Sequence, residues 1–165
     1  MMLQVKNCKH LCLLTLVAVM MSLFVTSCKN KDNDDINPLV GDVSKPAWTD
    51  PENYDYSSSM TAIVKVDMSE TYSAAQLKAV DYQMTNDDML AAFCGNACLG
   101  VGVWKDDYKA FWLYIAAPEN GDQVTLKYYS SVFKHIYTAE SFPYQNGENK
   151  GSLSQPYTPS WVLSE

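Results

Sequence analysis

Arginine is absent. All 12 basic residues are lysines, set against 19 acidic ones, and the 165-residue chain carries a formal charge of −7. Nucleic-acid binding draws on a basic surface and favours the bidentate fork of arginine, so no nucleic-acid partner is expected. Histidine is nearly missing as well: His10 and His135 are the only two. That leaves little for a metal centre or for acid–base chemistry. No Gly-x-Ser-x-Gly elbow accompanies them, and a nucleophile–base–acid triad has no support. Two convergent carboxylates could still make a glycosidase, but no pattern singles out a pair. The expectation is a protein without catalytic activity, cofactor or metal. Nor is any apolar run long enough to span a bilayer. The longest, residues 11–25, would reach about 22 Å as a helix against a hydrocarbon core of ~30 Å.

What stands there instead is an export signal. Lys6, Lys9 and His10 make a basic start, the apolar run follows, and small residues come after it, the order of a secretory signal. Val25-Thr26-Ser27-Cys28 resembles a bacterial lipobox, in which the cysteine is lipidated and becomes the new N-terminus. Residues 1–27 are therefore read as a lipoprotein signal peptide and Cys28 as the lipidation site. Acyl chains on that cysteine anchor stably because each buried methylene contributes about 0.8 kcal/mol. Without residues 1–27, 10 lysines face 19 acids and the net charge is −9.

Residues 28–46 are polar, rich in Asp and Asn, and lack apolar periodicity. They read as a flexible acidic tether, able to hold a domain some tens of ångströms from the membrane. The cluster Asp32, Asp34 and Asp35 just after the lipid cysteine resembles the export signal of Bacteroides-type lipoproteins displayed on the outer face of the outer membrane. A plain solvated linker would be charged too. The expected location is the bacterial outer membrane, lipid-anchored and facing outward.

Residues 47–165 read as a β-sandwich domain. Ala62, Val64, Val66 and Met68 alternate with Thr61, Ile63, Lys65 and Asp67, the period of a half-buried strand. Two apolar runs, 90–94 and 97–104, flank Gly95-Asn96, a hairpin signal because glycine supplies the positive φ such turns need. Gly100 and Gly102 share one side of the second run, which weakens a strand unless something packs closely over them. Further strands are expected over 111–116, 123–130, 135–139 and 161–163, with Val124, Leu126 and Tyr128 inward and Thr125, Lys127 and Tyr129 outward. A short helix fits within 72–84, where Leu77, Val80 and Met84 have helical spacing. Strands divided by turns every ten or so residues predict an all-β fold: an antiparallel, immunoglobulin-like sandwich with at most one short helix.

Two blocks carry a family resemblance. One is Trp48-Thr49-Asp50-Pro51-Glu52-Asn53-Tyr54-Asp55-Tyr56 leading into Ser59-Met60-Thr61. The other is Asp88-Met89-Leu90-Ala91-Ala92-Phe93 with Gly95 and Cys98-Leu99-Gly100-Val101. Together they resemble a β-sandwich module of surface and secreted proteins in Bacteroides-type bacteria, patterned roughly D-x-L-A-A-F-x-G-x-x-C-x-G-V. The strand 124–129 resembles the one that ends the module, and Cys94 departs from it, standing where an apolar residue is usual. The resemblance implies the fold and says little about activity.

Three constellations remain. Cys94 and Cys98 flank the hairpin turn, where they would form a disulfide, stay as buried thiols, or act in redox chemistry; their spacing is not that of thiol oxidoreductases. Asn86-Asp87-Asp88 and Asp106-Asp107 offer oxygen ligands for calcium, and equally the chemistry of turns. The aromatics are the most suggestive. Trp104, Trp112, Tyr114 and Tyr129, with Lys127 beside them, would form a platform for stacking on sugar rings if they share one exposed face. The alternative is that the rings fill the core. Two functions are expected on these grounds: binding of a glycan or another extracellular ligand, or docking on a protein partner such as an outer-membrane complex. A polar-rimmed aromatic patch favours sugar and a flat apolar patch or edge favours protein.

Overall fold

The computed structural model describes residues 37–52, 57, 59–116 and 119–164. The signal, Cys28 and the acidic cluster lie outside them. Residues from Pro38 onward form one compact unit. Its strands are β1 (Met60–Val64), β2 (Met89–Cys94), β3 (Ala97–Val101), β4 (Val103–Lys105), β5 (Ala110–Ile115), β6 (Gln123–Ser130), β7 (His135–Ala139), β8 (Phe142–Pro143), β9 (Asn149–Lys150) and β10 (Trp161–Leu163). One sheet has the order β4-β5-β1-β9. The other runs β10-β7-β6-β2-β3, with β8 added to one end of β6. The fold is an all-β sandwich.

Period-two alternation builds the space between the sheets. Met60, Ala62 and Val64 from β1 and Phe111, Leu113 and Ile115 from β5 are buried on one side. Leu90, Ala92, Val124, Leu126, Tyr128 and Tyr137 are buried on the other. Each large apolar side chain so covered contributes about 1.5–3 kcal/mol. Between strands the pairing is antiparallel except that β9 runs parallel to β1, Thr61 opposite Asn149 and Ala62 opposite Lys150, and Val64 adds a single parallel bridge to Tyr157. The strand arises within the Gly- and Pro-rich stretch 143–159, which carries no strand pattern of its own.

The expected single strand 97–104 is broken at Gly102. The chain leaves the six-stranded sheet after β3 and enters the four-stranded sheet as β4, making a corner of the sandwich. Glycine permits the crossing. A Cβ at Gly100 would lie 1.9 Å from the carbonyl oxygen of Tyr114. One at Gly102 would press on Leu90 and Phe111 at 3.3 Å. Gly102 N donates to Leu90 O at 2.7 Å, and Ala116 N to Leu99 O at 2.9 Å, tying the two sheets at this point.

The helix is shorter than its apolar spacing suggests: α1 spans Ala74–Ala79. Ser73 starts it with a capping box, its hydroxyl accepting from Gln76 N while Gln76 Oε1 accepts from Ser73 N; such caps contribute about 1 kcal/mol. Beyond it, Tyr82 and Met84 turn onto the core. Tyr82 and Tyr128 hydroxyls lie 3.2 Å apart, those of Tyr72 and Tyr137 2.9 Å apart, and Phe133 stacks on Tyr72 at 4.3 Å. Burial pushes the phenols of Tyr82, Tyr128 and Tyr137 well above their ordinary range.

The tether also ends earlier than expected. Residues 38–46 do not hang free but lie along the domain as a strap. Gly41 N donates to Phe133 O at 2.7 Å and Val43 N to Lys134 O at 3.1 Å, and Lys45 pairs with Asp87 at 3.2 Å. The strap has no apolar period because few of its side chains are buried; backbone hydrogen bonds hold it instead.

Candidate functional site

The outer face of the four-stranded sheet carries the exposed aromatics. Val103 on β4 lies opposite Trp112 on β5, which lies opposite Ile63 on β1; Tyr114 lies opposite Thr61. A 3-10 turn, Asp106–Tyr108, lifts Tyr108 beside this row, and Lys109 closes it in the left-handed region at φ 49°. Lys109 Nζ bridges to Asp106 at 2.6 Å. Its ammonium, donating to the Asp106 carboxylate, holds that carboxyl below its ordinary range. Tyr108 then stacks on Trp112, ring centres 6.2 Å apart at 29°, and Lys105 Nζ stands 5.8 Å from the Trp112 ring. Tyr108 is 51% exposed and Tyr114 45%, with Val103 at 56%. The Trp112 Nε1–H is buried and has no acceptor among the described residues.

The five expected binding residues do not converge. Trp112 and Tyr114 share this face. Trp104 turns inward, its ring 5.1 Å from Phe111 and packed against the core. The bulge at Leu99 is the reason: the β2–β3 register shifts between Phe93–Cys98 and Ala92–Gly100, which turns Gly100, and with it Gly102 and Trp104, toward the core, so Trp104 pairs with Phe111 and Val103 takes the outward place. Lys127 and Tyr129 face outward from the other sheet, on β6. Tyr129 is 5% exposed, and Lys127 Nζ lies 4.7 Å over the ring of Phe93. Trp48, from the segment after the strap, meets the same Phe93 ring edge-on at 5.5 Å. Tyr108, Val103 and Lys105 complete the exposed face. An aromatic within the polar turn 105–109 is the one local sign of Tyr108.

Of the three readings of Cys94 and Cys98, the disulfide is not made. Gly95-Asn96 forms a two-residue turn with Gly95 at φ 57°, so Cys94 pairs with Ala97, and Cys98 pairs with Phe93. That register sends Cys94 into the core and Cys98 to the opposite side of the sheet, and the two sulfurs are not joined. Burial raises the Cys98 thiol above its ordinary range, which makes it a poor nucleophile.

The acidic loops serve as turns. Buried Asp88 accepts from Thr85 N, Ser131 N and Ser131 Oγ, at 2.7 to 2.8 Å. Asp106 is taken by Lys109. Among the described residues no three His, Cys, Asp or Glu side chains gather as a metal site, and no helix is long and apolar enough to cross a membrane.

In comparison with known proteins, the chain matches no family model, and no curated protein or solved structure is significantly similar to it.

Proposed function

We propose that this protein is a non-catalytic, lipid-anchored lipoprotein of the bacterial outer membrane, facing outward, whose sandwich binds a glycan. The signal, the lipobox-like Val25-Thr26-Ser27-Cys28 and the acidic residues after it support the anchor. One observation carries the glycan: Tyr108 stacks on Trp112 beside exposed Tyr114, on an open sheet face rimmed by Lys105 and Thr61. Flat rings with a polar rim suit the C–H face of a pyranose, whose hydroxyls then bond to the rim.

A glycan array read by tryptophan fluorescence tests this, using the chain from residue 28 with Cys28→Ser. Saturable binding that Trp112→Ala and Tyr114→Ala abolish is expected. An array without a saturable ligand would sink the glycan reading. In cells, the same Cys28→Ser change should release the protein from membranes, and unchanged fractionation would count against the anchor. A second reading rests on Val103, exposed on the edge strand β4: such an edge suits a protein partner. Capture of an outer-membrane protein, lost on Val103→Lys, would favour it.

A further inference from the structure

The covered face of the six-stranded sheet holds a groove of about 260 Å³, lined by Val43, Trp48, Lys127, His135, Ile136 and Ser164. These residues lie far apart in the chain and meet because the strap and the C-terminal residues flank β6 and β7.

The polar end is held in place. The Lys127 ammonium lies 4.7 Å over the Phe93 ring, and the Trp48 indole meets that ring at 5.5 Å. Cation and indole are therefore gathered about one buried aromatic side chain. His135 is fixed from two directions. Gly41 comes so near that a Cβ there would lie 2.2 Å from the imidazole Cε1, and Tyr137 meets the imidazole edge-on at 6.3 Å. Ser164 is held by its backbone, N to Ile136 O at 2.9 Å, and by a hydroxyl contact with Thr138.

The charge of the lining runs against the rest of the chain. The protein has 19 acidic residues against 12 lysines, yet none of the six lining residues is acidic. Among the described residues Lys127 makes no ion pair. A half-covered ammonium on an aromatic floor, facing a space without carboxylates, favours an anion from outside. The rest of the lining is mixed: Val43, Ile136 and the indole are apolar, and His135 and Ser164 are polar. The volume falls just under the ~300 Å³ lower end of small-molecule sites, which suits one ring rather than an extended molecule.

We propose that this groove binds a carboxylate carried on a single pyranose ring, a hexuronate. The carboxylate meets the Lys127 ammonium, the C–H face of the ring lies against Trp48, and Ser164 offers a hydroxyl to the ring's own. This site is separate from the Tyr108–Trp112–Tyr114 face and does not depend on what that face binds.

Titration of the chain from residue 28, carrying Cys28→Ser, with sodium glucuronate tests the proposal by tryptophan fluorescence and by the NMR signal of the Trp48 indole. Glucose and acetate serve as probes lacking the charge and the ring. Saturable binding of glucuronate alone is expected. Lys127→Met retains a flexible apolar stem over Phe93 and removes the charge. It should weaken binding by about tenfold or more, the scale of a hydrogen bond to a charged group. Lys127→Gln gives the same reading should Met perturb the sheet, with circular dichroism as the check on folding. Trp112→Ala should leave glucuronate binding unchanged, so this site and the four-stranded face fail or stand separately. Oligogalacturonate run beside the monosaccharide tells a polymer end from a free sugar; either, if Lys127-dependent, supports the site. Equal response to glucose, or glucuronate binding indifferent to both Lys127 variants, overturns the proposal, as does the lack of saturable binding by either uronate probe.

Discussion

On the four-stranded sheet the outward residues Val103 and Tyr114 are 56% and 45% exposed, and Tyr108 stands in the open beside them; on the six-stranded sheet outward-facing Phe93 and Tyr129 are 6% and 5% exposed. Both sheets follow the same alternation, and both place aromatic residues on the outside. The difference is the segment before β1. Gly41 and Val43 bond to the carbonyls before β7, Trp48 covers Phe93, and Asp50 Oδ1 accepts from Val101 N at 2.7 Å on the edge strand β3. No comparable segment bonds across the four-stranded face among the described residues. An outward aromatic becomes a second core where a strap crosses it and a binding surface where none does.

The hardest blow to this arrangement should come from Gly100→Ala, at the corner joining the sheets. The added methyl meets the Tyr114 carbonyl, a backbone atom that cannot swing aside. A loss above about 3 kcal/mol is expected in denaturant unfolding, and a near-native midpoint would refute the close approach. Trp48→Ala should uncover the six-stranded face. The expected cost is about 1–3 kcal/mol, since the indole is only half-buried, accompanied by dye binding at the freed Phe93. If stability and dye binding both stay unchanged, the strap is not what covers that face.

Alkaline pH tests the interior that both faces share. The phenols of Tyr82, Tyr128 and Tyr137 are raised by burial. A raised folded-state value means the native state keeps protons that the unfolded chain gives up. Their stabilising contribution is full below the unfolded tyrosine value of about 10 and is lost as pH climbs toward the raised values. Stability should therefore fall above about pH 10, with part of the tyrosinate absorbance appearing only on unfolding. Full ionisation with native circular dichroism intact would contradict the buried cluster. The smallest effect belongs to the bare face: Tyr114→Ala should shift stability by no more than about 0.5 kcal/mol, as for surface changes generally. A larger loss would mean that this face is structural rather than available to a ligand.

Much of the sandwich is legible in local pattern. The strands over 123–130, 135–139 and 161–163 begin and end where their alternation does, and Gly95-Asn96 makes the hairpin its residue types call for. The close packing that Gly100 and Gly102 require is present, supplied by the Tyr114 carbonyl and by Leu90 and Phe111. The candidate site is less legible. Trp104 belongs with Trp112 only on an alternation unbroken from Leu99 onward, and the bulge at Leu99 turns Gly100, Gly102 and Trp104 inward instead. Cys94 and Cys98 flank one turn and so look like neighbours, but a two-residue turn offsets them by one and sends them to opposite sides. The strap is invisible in the sequence because backbone hydrogen bonds leave no trace in side-chain periodicity.

A period of two, punctuated by Gly, Asn and Pro, was sufficient to specify strands and their inward faces, because alternation is a property of the local backbone. The lack of arginine and the near lack of histidine narrowed the chemistry in the same way, by composition. Which outward aromatics remain open was decided by contacts between residues some 40 to 95 positions apart, Trp48 with Phe93 and Gly41 with Phe133 and His135 among them. Burial depends on what else arrives at a surface, and neither strand carries that information.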